Sequence, residues 1–105
     1  MFDWNDLKAF LAVARDGSAL AAAKTMGVNQ TTVVRRVEAL EASLGLTLLL
    51  REQAGSRLTE AGEDLLRDAL RMEEAAAGFE HRVAAHRRGL AGTVKVTATE
   101  MLANA

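Results

Sequence analysis

The chain has 105 residues, no cysteine, 50% hydrophobic but only 4% aromatic residues, and a formal net charge of −1. That length holds one small core and at most one extended element, the missing cysteines exclude a disulfide framework, a thiolate zinc site and a cysteine nucleophile, and the alanine- and leucine-rich apolar content favours helices. No apolar run reaches the ~18 to 20 residues of a membrane span, and Met1-Phe2-Asp3-Trp4 lacks a signal-peptide layout, so a soluble, cytoplasmic protein with no membrane partner is expected.

Leu7, Phe10, Leu11 and Ala14 recur at helical spacing and predict a first amphipathic helix from Trp4 to Arg15, with Asp3 or Asn5 as its N-cap and Asp16-Gly17 as its stop. Ser18 caps a short second helix through Met26, whose alanines leave a surface that another helix can approach closely. Gly27 ends it. Asn29 is the next N-cap, and Val33, Val37, Leu40 and Leu44 form one apolar stripe on a third helix over 29–44. The apolar run Leu46 to Leu50, a turn over Glu52 to Ser56 and a return at Arg57-Leu58 predict a small two-stranded wing.

Thr59 caps a fourth, long helix, with Glu60, Glu63 and Asp64 placed where the helix dipole favours negative charge. Leu65, Ala69, Met72, Ala76, Phe79, Val83, His86 and Leu90 alternate at four and three residues, the 3.5 period of a coiled-coil seam. A helix of about 30 residues is about 45 Å long, more than a three-helix core covers. A partner helix from a second copy is the simplest cover, so Leu65, Ala69, Met72, Ala76, Phe79 and Val83 are the expected homodimer contacts. Gly92 followed by Thr93-Val94-Lys95-Val96-Thr97 predicts a break and a strand without a partner in the remaining residues, as at the start of a further domain. The expected division is thus 1–58, 59–91 and 92–105.

Function is carried by the second and third helices. Ala23 at the crossing, Gly27 in the turn and Val33 locking the third helix onto the second make a helix-turn-helix. Residues 1–58 carry seven basic and six acidic side chains, and residues 59–105 carry six and eight, which sum to the chain's 13 and 14. Between residues 17 and 37 the only charges are Lys24, Arg35 and Arg36, an electropositive patch on a near-neutral chain. Gln30, Thr31, Thr32, Val34, Arg35 and Arg36 lie off the apolar stripe, mostly at the helix end that enters a major groove in this motif. Gln pairs with adenine, Arg with guanine or phosphate, and Thr donates to phosphate or touches a thymine methyl. Lys24 is a candidate backbone contact. Arg51 and Arg57 flank the wing turn, within the expected reach of phosphate or the minor groove, whereas Trp4 and Phe10 read as core.

These residues resemble a family. Leu7, Phe10 and Val13, Gly17-Ser18, Ala22-Ala23, Val28-Asn29-Gln30, Leu40-Glu41, Leu44-Gly45, Leu48 to Arg51 and Leu58-Thr59-Glu60-Ala61-Gly62 look like the N-terminal domain of LysR-type transcriptional regulators. The resemblance implies a mainly α fold, a winged helix-turn-helix followed by a long dimerisation (linker) helix, with the third helix as reader and the two linker helices antiparallel. It also implies that residues from Gly92 open an effector-binding domain, where alone a small-molecule effector is expected; no cofactor is expected in this chain. The DNA-binding set is then Ser18, Lys24, Asn29, Gln30, Thr31, Thr32, Val34, Arg35, Arg36, Arg51 and Arg57. Where the family usually has serine, proline and a small residue, this chain has Asn29, Thr31 and Thr32, and Val34 replaces a serine that commonly faces DNA.

Two other classes compete with that reading. A coiled-coil adaptor without DNA binding would use the first 58 residues as a capping bundle. An enzyme is disfavoured: His81 and His86, five apart, fall on different helix faces, no phosphate-binding glycine loop or nucleophile–base pair appears, and no metal site is expected.

Overall fold

In the computed structural model, which describes residues 1–92, the order is α1 (Trp4–Asp16), α2 (Ala19–Met26), α3 (Gln30–Leu44), β1 (Leu49–Glu52), β2 (Gly55–Leu58) and α4 (Glu60–Gly92). The strand expected over 93–97 lies outside the described residues. Each of the first three helices starts on a side-chain cap. Asp3, rather than Asn5, is the first cap and accepts the Asn5 N–H at 2.7 Å, Ser18 Oγ accepts Ala21 N–H at 3.1 Å, and Asn29 Oδ1 accepts Thr32 N–H at 2.8 Å. Each also ends on a left-handed glycine, Gly17, Gly27 and Gly45.

Two apolar clusters hold these elements together. Ala9, Ala12 and Val13 of α1 meet Ala22 and Ala23 of α2 and Val33 and Val37 of α3; the alanines let α2 and α3 cross closely, and Val33 is wholly buried at the crossing. Leu7, Phe10 and Leu11 of α1 meet Leu40, Leu48 and Ala69. Phe10, Leu11, Leu40 and Leu48 are wholly buried, and burial of such side chains contributes about 1.5 to 3 kcal/mol each. Leu44, expected to continue the α3 stripe, is exposed instead. The chain turns at Gly45 and Leu48 returns to fill the core.

The wing is shorter than the apolar run suggests. Leu48 is spent on the core, so pairing begins at Leu49, opposite Leu58, and closes at Glu52 opposite Gly55 around Gln53-Ala54. Four hydrogen bonds fasten it. Glu41 Oε2 accepts the N–H groups of Leu48 at 2.7 Å and Leu49 at 3.2 Å, Gly17 O accepts Ser56 N–H at 2.9 Å, and Leu48 O accepts Thr59 N–H at 2.9 Å. Gly55 has φ +134 and a side chain there would place Cβ 2.5 Å from Gly17 O, so only glycine lets the wing lie on the α1–α2 turn.

Thr59 caps α4 and ties it to the base of the wing, accepting Gly62 N–H at 2.9 Å while its hydroxyl donates to Thr47 O at 2.6 Å. The described residues fall into two compact units, Met1–Leu70 and the residues from Arg71 onward, so the first turns of α4 pack with the winged domain. Ala69 is only 3% exposed, inside the cluster of Leu7, Phe10, Leu11, Leu40 and Leu48, and Leu65 packs against the same cluster. Thr59, bonded to Thr47 O at the wing base, anchors the helix start so that Ala69 is buried and Leu65 half-buried against the chain's own core. In the second unit Met72 and Phe79 are exposed, Phe79 at 64%, Ala76 and Val83 are half-buried, and His81 and His86 are exposed.

Candidate nucleic-acid interface

The N-terminal half of α3 forms the centre of a polar face. Gln30, Thr31 and Arg35 are exposed, while Thr32, Val34 and Arg36 are half-buried, because the opposite face of the same turns carries Val33 and Val37 into the core. Gln30, Thr31 and Val34 share one open depression of about 230 Å³ with Arg51 of β1. A neighbouring depression of about 420 Å³ joins Ser18, Ala19 and Leu20 at the start of α2 to Gln30 and to the wing from Arg51 to Ser56. The docking of the wing on Gly17 thus brings together Ser18, Gln30, Thr31, Val34 and Arg51, five residues spread over 34 positions of sequence. Lys24, Arg35, Arg36 and Arg57 line neither depression.

Hydrogen bonds already made decide what each side chain has left to offer. Thr32 Oγ1 donates to Asn29 Oδ1 at 2.9 Å, so in this structure its proton is engaged at the helix cap. Asn29 keeps its amide N–H groups, its oxygen being occupied by the Thr32 N–H and hydroxyl. Ser18 accepts at the α2 cap and retains its proton for donation.

Among the described residues no ion pair holds Lys24, Arg35, Arg36 or Arg51, whereas Arg57 Nε lies 3.2 Å from Glu52 Oε2 across the wing. The two wing arginines are therefore unequal: Arg51 presents an uncommitted guanidinium beside α3, and Arg57 is engaged by a carboxylate on the partner strand. Sequence reasoning missed the supports of this face. Glu41 stands in the family pattern, but its role is not legible there because its partners are seven and eight residues away; Gly55, beside the turn, reads only as a turn residue.

Among the described residues no cluster of His, Asp and Glu is arranged to hold a metal ion, and no helix is long and apolar enough to cross a membrane. A cleft of about 170 Å³ is lined by Val13, Val33, Val34, Val37 and Leu49 together with Glu38, Glu41, Arg51 and Ser56.

Three short helices with a two-stranded hairpin laid beside the third define a winged helix-turn-helix protein. The chain belongs to the lysR family of bacterial regulatory helix-turn-helix proteins, whose pattern matches residues 4–63. It is 43% identical over 94 residues to the HTH-type transcriptional regulator TcbR of Pseudomonas sp. (strain P51), covering 90% of this chain and 32% of that protein. It is 35% identical to ClcR of Pseudomonas putida with the same coverage. The chain thus spans about a third of the length of these relatives. Among solved structures, a complex of the CbnR DNA-binding domain with DNA matches with a TM-score of 0.71 and 44% identity, over 80% of this chain and 99% of that one. Full-length CbnR, a LysR family transcriptional regulator, matches with a TM-score of 0.76 and 43% identity, over 84% of this chain and 30% of that one.

Proposed function

We propose that this chain binds double-stranded DNA as part of a bacterial transcriptional regulator, reading the major groove with α3 and acting as a homodimer. The observation that carries the reading is the shared surface of Gln30, Thr31, Val34 and Arg51, with Arg35 exposed on the same helix and none of its cations paired. The likeness to the CbnR DNA-binding domain, solved on DNA, supports it. Gln30 and Arg35 supply base-edge contacts, Thr31 a methyl or hydroxyl contact, and Ser18, Asn29, Lys24, Arg36 and Arg51 donors for phosphate. A net charge of −1 does not oppose this, because the acids among residues 17–37 are absent and the local field is positive.

The dimer part of the proposal rests on α4. Of the seam Leu65, Ala69, Met72, Ala76, Phe79 and Val83, Met72 and Phe79 are the most exposed and are the main contacts proposed for a partner helix, and two reader helices then address two half-sites. A cytoplasmic, non-enzymatic role follows from the same reading, with no cofactor in this chain; a small-molecule effector is assigned to an effector-binding domain beyond the described residues. Titration of genomic or selected duplex at rising salt tests the proposal. Affinity falling steeply with salt, at about 0.9 of a log–log slope for each neutralised phosphate, is expected. A chain with no salt-sensitive affinity for duplex is an adaptor instead.

A further inference from the structure

Val34 sits where a polar reader residue is expected, yet it has no donor or acceptor. It stands one helical turn from Gln30 and Thr31, at spacings of four and three, and shares their depression with Arg51. It also borders a cleft of mixed lining, in which Val13, Val33, Val37 and Leu49 stand beside Glu38 and Glu41. A β-branched side chain on a helix holds essentially one χ1 rotamer. Half-buried and restricted to that rotamer, Val34 offers a fixed apolar spot inside an otherwise polar face.

In the major groove, only a C5-methyl gives a base edge an apolar contact of this size. The N7 and O6 acceptors of guanine, the N7 and N6–H₂ of adenine and the N4–H₂ of unmethylated cytosine would each lose hydrogen bonds to water against a valine. We propose that Val34 is a specificity-determining contact that binds the C5-methyl group of a pyrimidine, making one position of each half-site dependent on that methyl. The proposal rests on the DNA-reading role of α3 and names what one part of that face recognises. Thymine is the ordinary source of the methyl, and 5-methylcytosine presents the same group.

The test uses the whole chain. A duplex is selected from a random pool, and each thymine in turn is replaced by deoxyuridine, which removes the methyl and leaves the pairing edge intact; affinities follow from fluorescence anisotropy. Loss of one buried methyl is expected to weaken binding about fourfold at one thymine per half-site. That sensitivity should vanish in Val34→Ser and Val34→Ala. At the same position, 5-methylcytosine bound more tightly than cytosine marks the methyl itself as the ligand whatever base carries it. Equal binding of those two overturns recognition of the methyl itself. Because the deoxyuridine series is read on the unaltered protein, a poorly folding variant does not obscure it. A selected duplex bound with salt-sensitive affinity that ignores every deoxyuridine substitution overturns this inference alone. Failure to bind any duplex overturns the DNA-reading role and the inference with it.

Discussion

The carboxylate of Glu41, near the end of α3, accepts the backbone N–H of Leu48, where the chain enters the wing, at 2.7 Å, and the same oxygen accepts Leu49 N–H at 3.2 Å. One side chain therefore sets the relation between the reader helix and the strand that carries Arg51. Glu41→Ala leaves two strand-entry donors unpaired in a part-buried place. Hydrogen bonds to a charged acceptor contribute about 1.5 to 3 kcal/mol, so a destabilisation of that order is expected, or about 6 to 24 °C in melting temperature for a domain of this size. Glu41→Gln, which retains a neutral acceptor, should lose less. Thermal melts followed by circular dichroism check the order; equal stability of Glu41→Ala and the parent would refute the role.

Two glycines on α4 should respond to alanine in opposite senses. Gly62 is buried, and a Cβ there would lie 2.2 Å from Leu48 O, a backbone atom fixed by its bond to Thr59. Gly78 is helical with only the tip of Arg82 nearby, at 3.6 Å. Gly62→Ala must move the wing base and should destabilise by about 1 to 3 kcal/mol. Gly78→Ala, gaining helix propensity, should stabilise the helix by about 0.5 to 1 kcal/mol. Urea denaturation of both variants separates the cases, and a neutral Gly62→Ala would show that α4 does not pack tightly on Leu48.

The wing arginines give a third expectation. Arg57 is paired with Glu52, whereas Arg51 is uncommitted and adjoins Gln30, Thr31 and Val34. Arg51→Ala should therefore lower duplex affinity more than Arg57→Ala and reduce the salt slope by about 0.9, the share of one phosphate. An Arg57→Ala variant as impaired as Arg51→Ala would mean that the Glu52 pair opens on DNA. Replacement of both Arg35 and Arg36 by alanine should cost about 1 to 3 kcal/mol for each bidentate arginine–base pairing it removes and flatten the salt dependence; unchanged affinity and slope would remove both from the interface.

What the sequence discloses and withholds follows from how local each interaction is. Caps, left-handed glycines and the Val33–Val37–Leu40 stripe are properties of neighbouring residues, so the three helices and the polar face of α3 were legible without coordinates. Contacts between distant segments were not. Nothing near Glu41 announces its bond to Leu48, and nothing near Arg57 separates it from Arg51 until the hairpin register puts Glu52 within reach. The seam of α4 shows the same limit: its 3.5 period is continuous from Leu65 to Val83, and periodicity alone cannot tell that Leu65 and Ala69 have found their cover within the same chain.

That division of α4 gives the last prediction. A single apolar stripe serves two tasks, up to Ala69 in the core of Met1–Leu70 and from Met72 onward in the proposed dimer. Ala69→Asp would bury a carboxylate among Leu7, Phe10, Leu11, Leu40 and Leu48 with no cation or donor set to receive it, a change whose cost is of the order of several kcal/mol, and the winged unit should unfold. Phe79, at 64% exposed, is different. In a single copy Phe79→Asp only exchanges an exposed ring for an exposed carboxylate, so melting of the winged unit should scarcely change. In a dimer sealed by Met72, Ala76, Phe79 and Val83 the same carboxylate is desolvated against a partner helix, and association should fail. Sedimentation should therefore show a dimeric parent and a monomeric, folded Phe79→Asp variant, and the variant should bind a single half-site duplex like the parent while losing its advantage on the full palindrome. A monomeric parent, or a variant that remains dimeric and binds the palindrome as tightly, would remove α4 as the dimer contact.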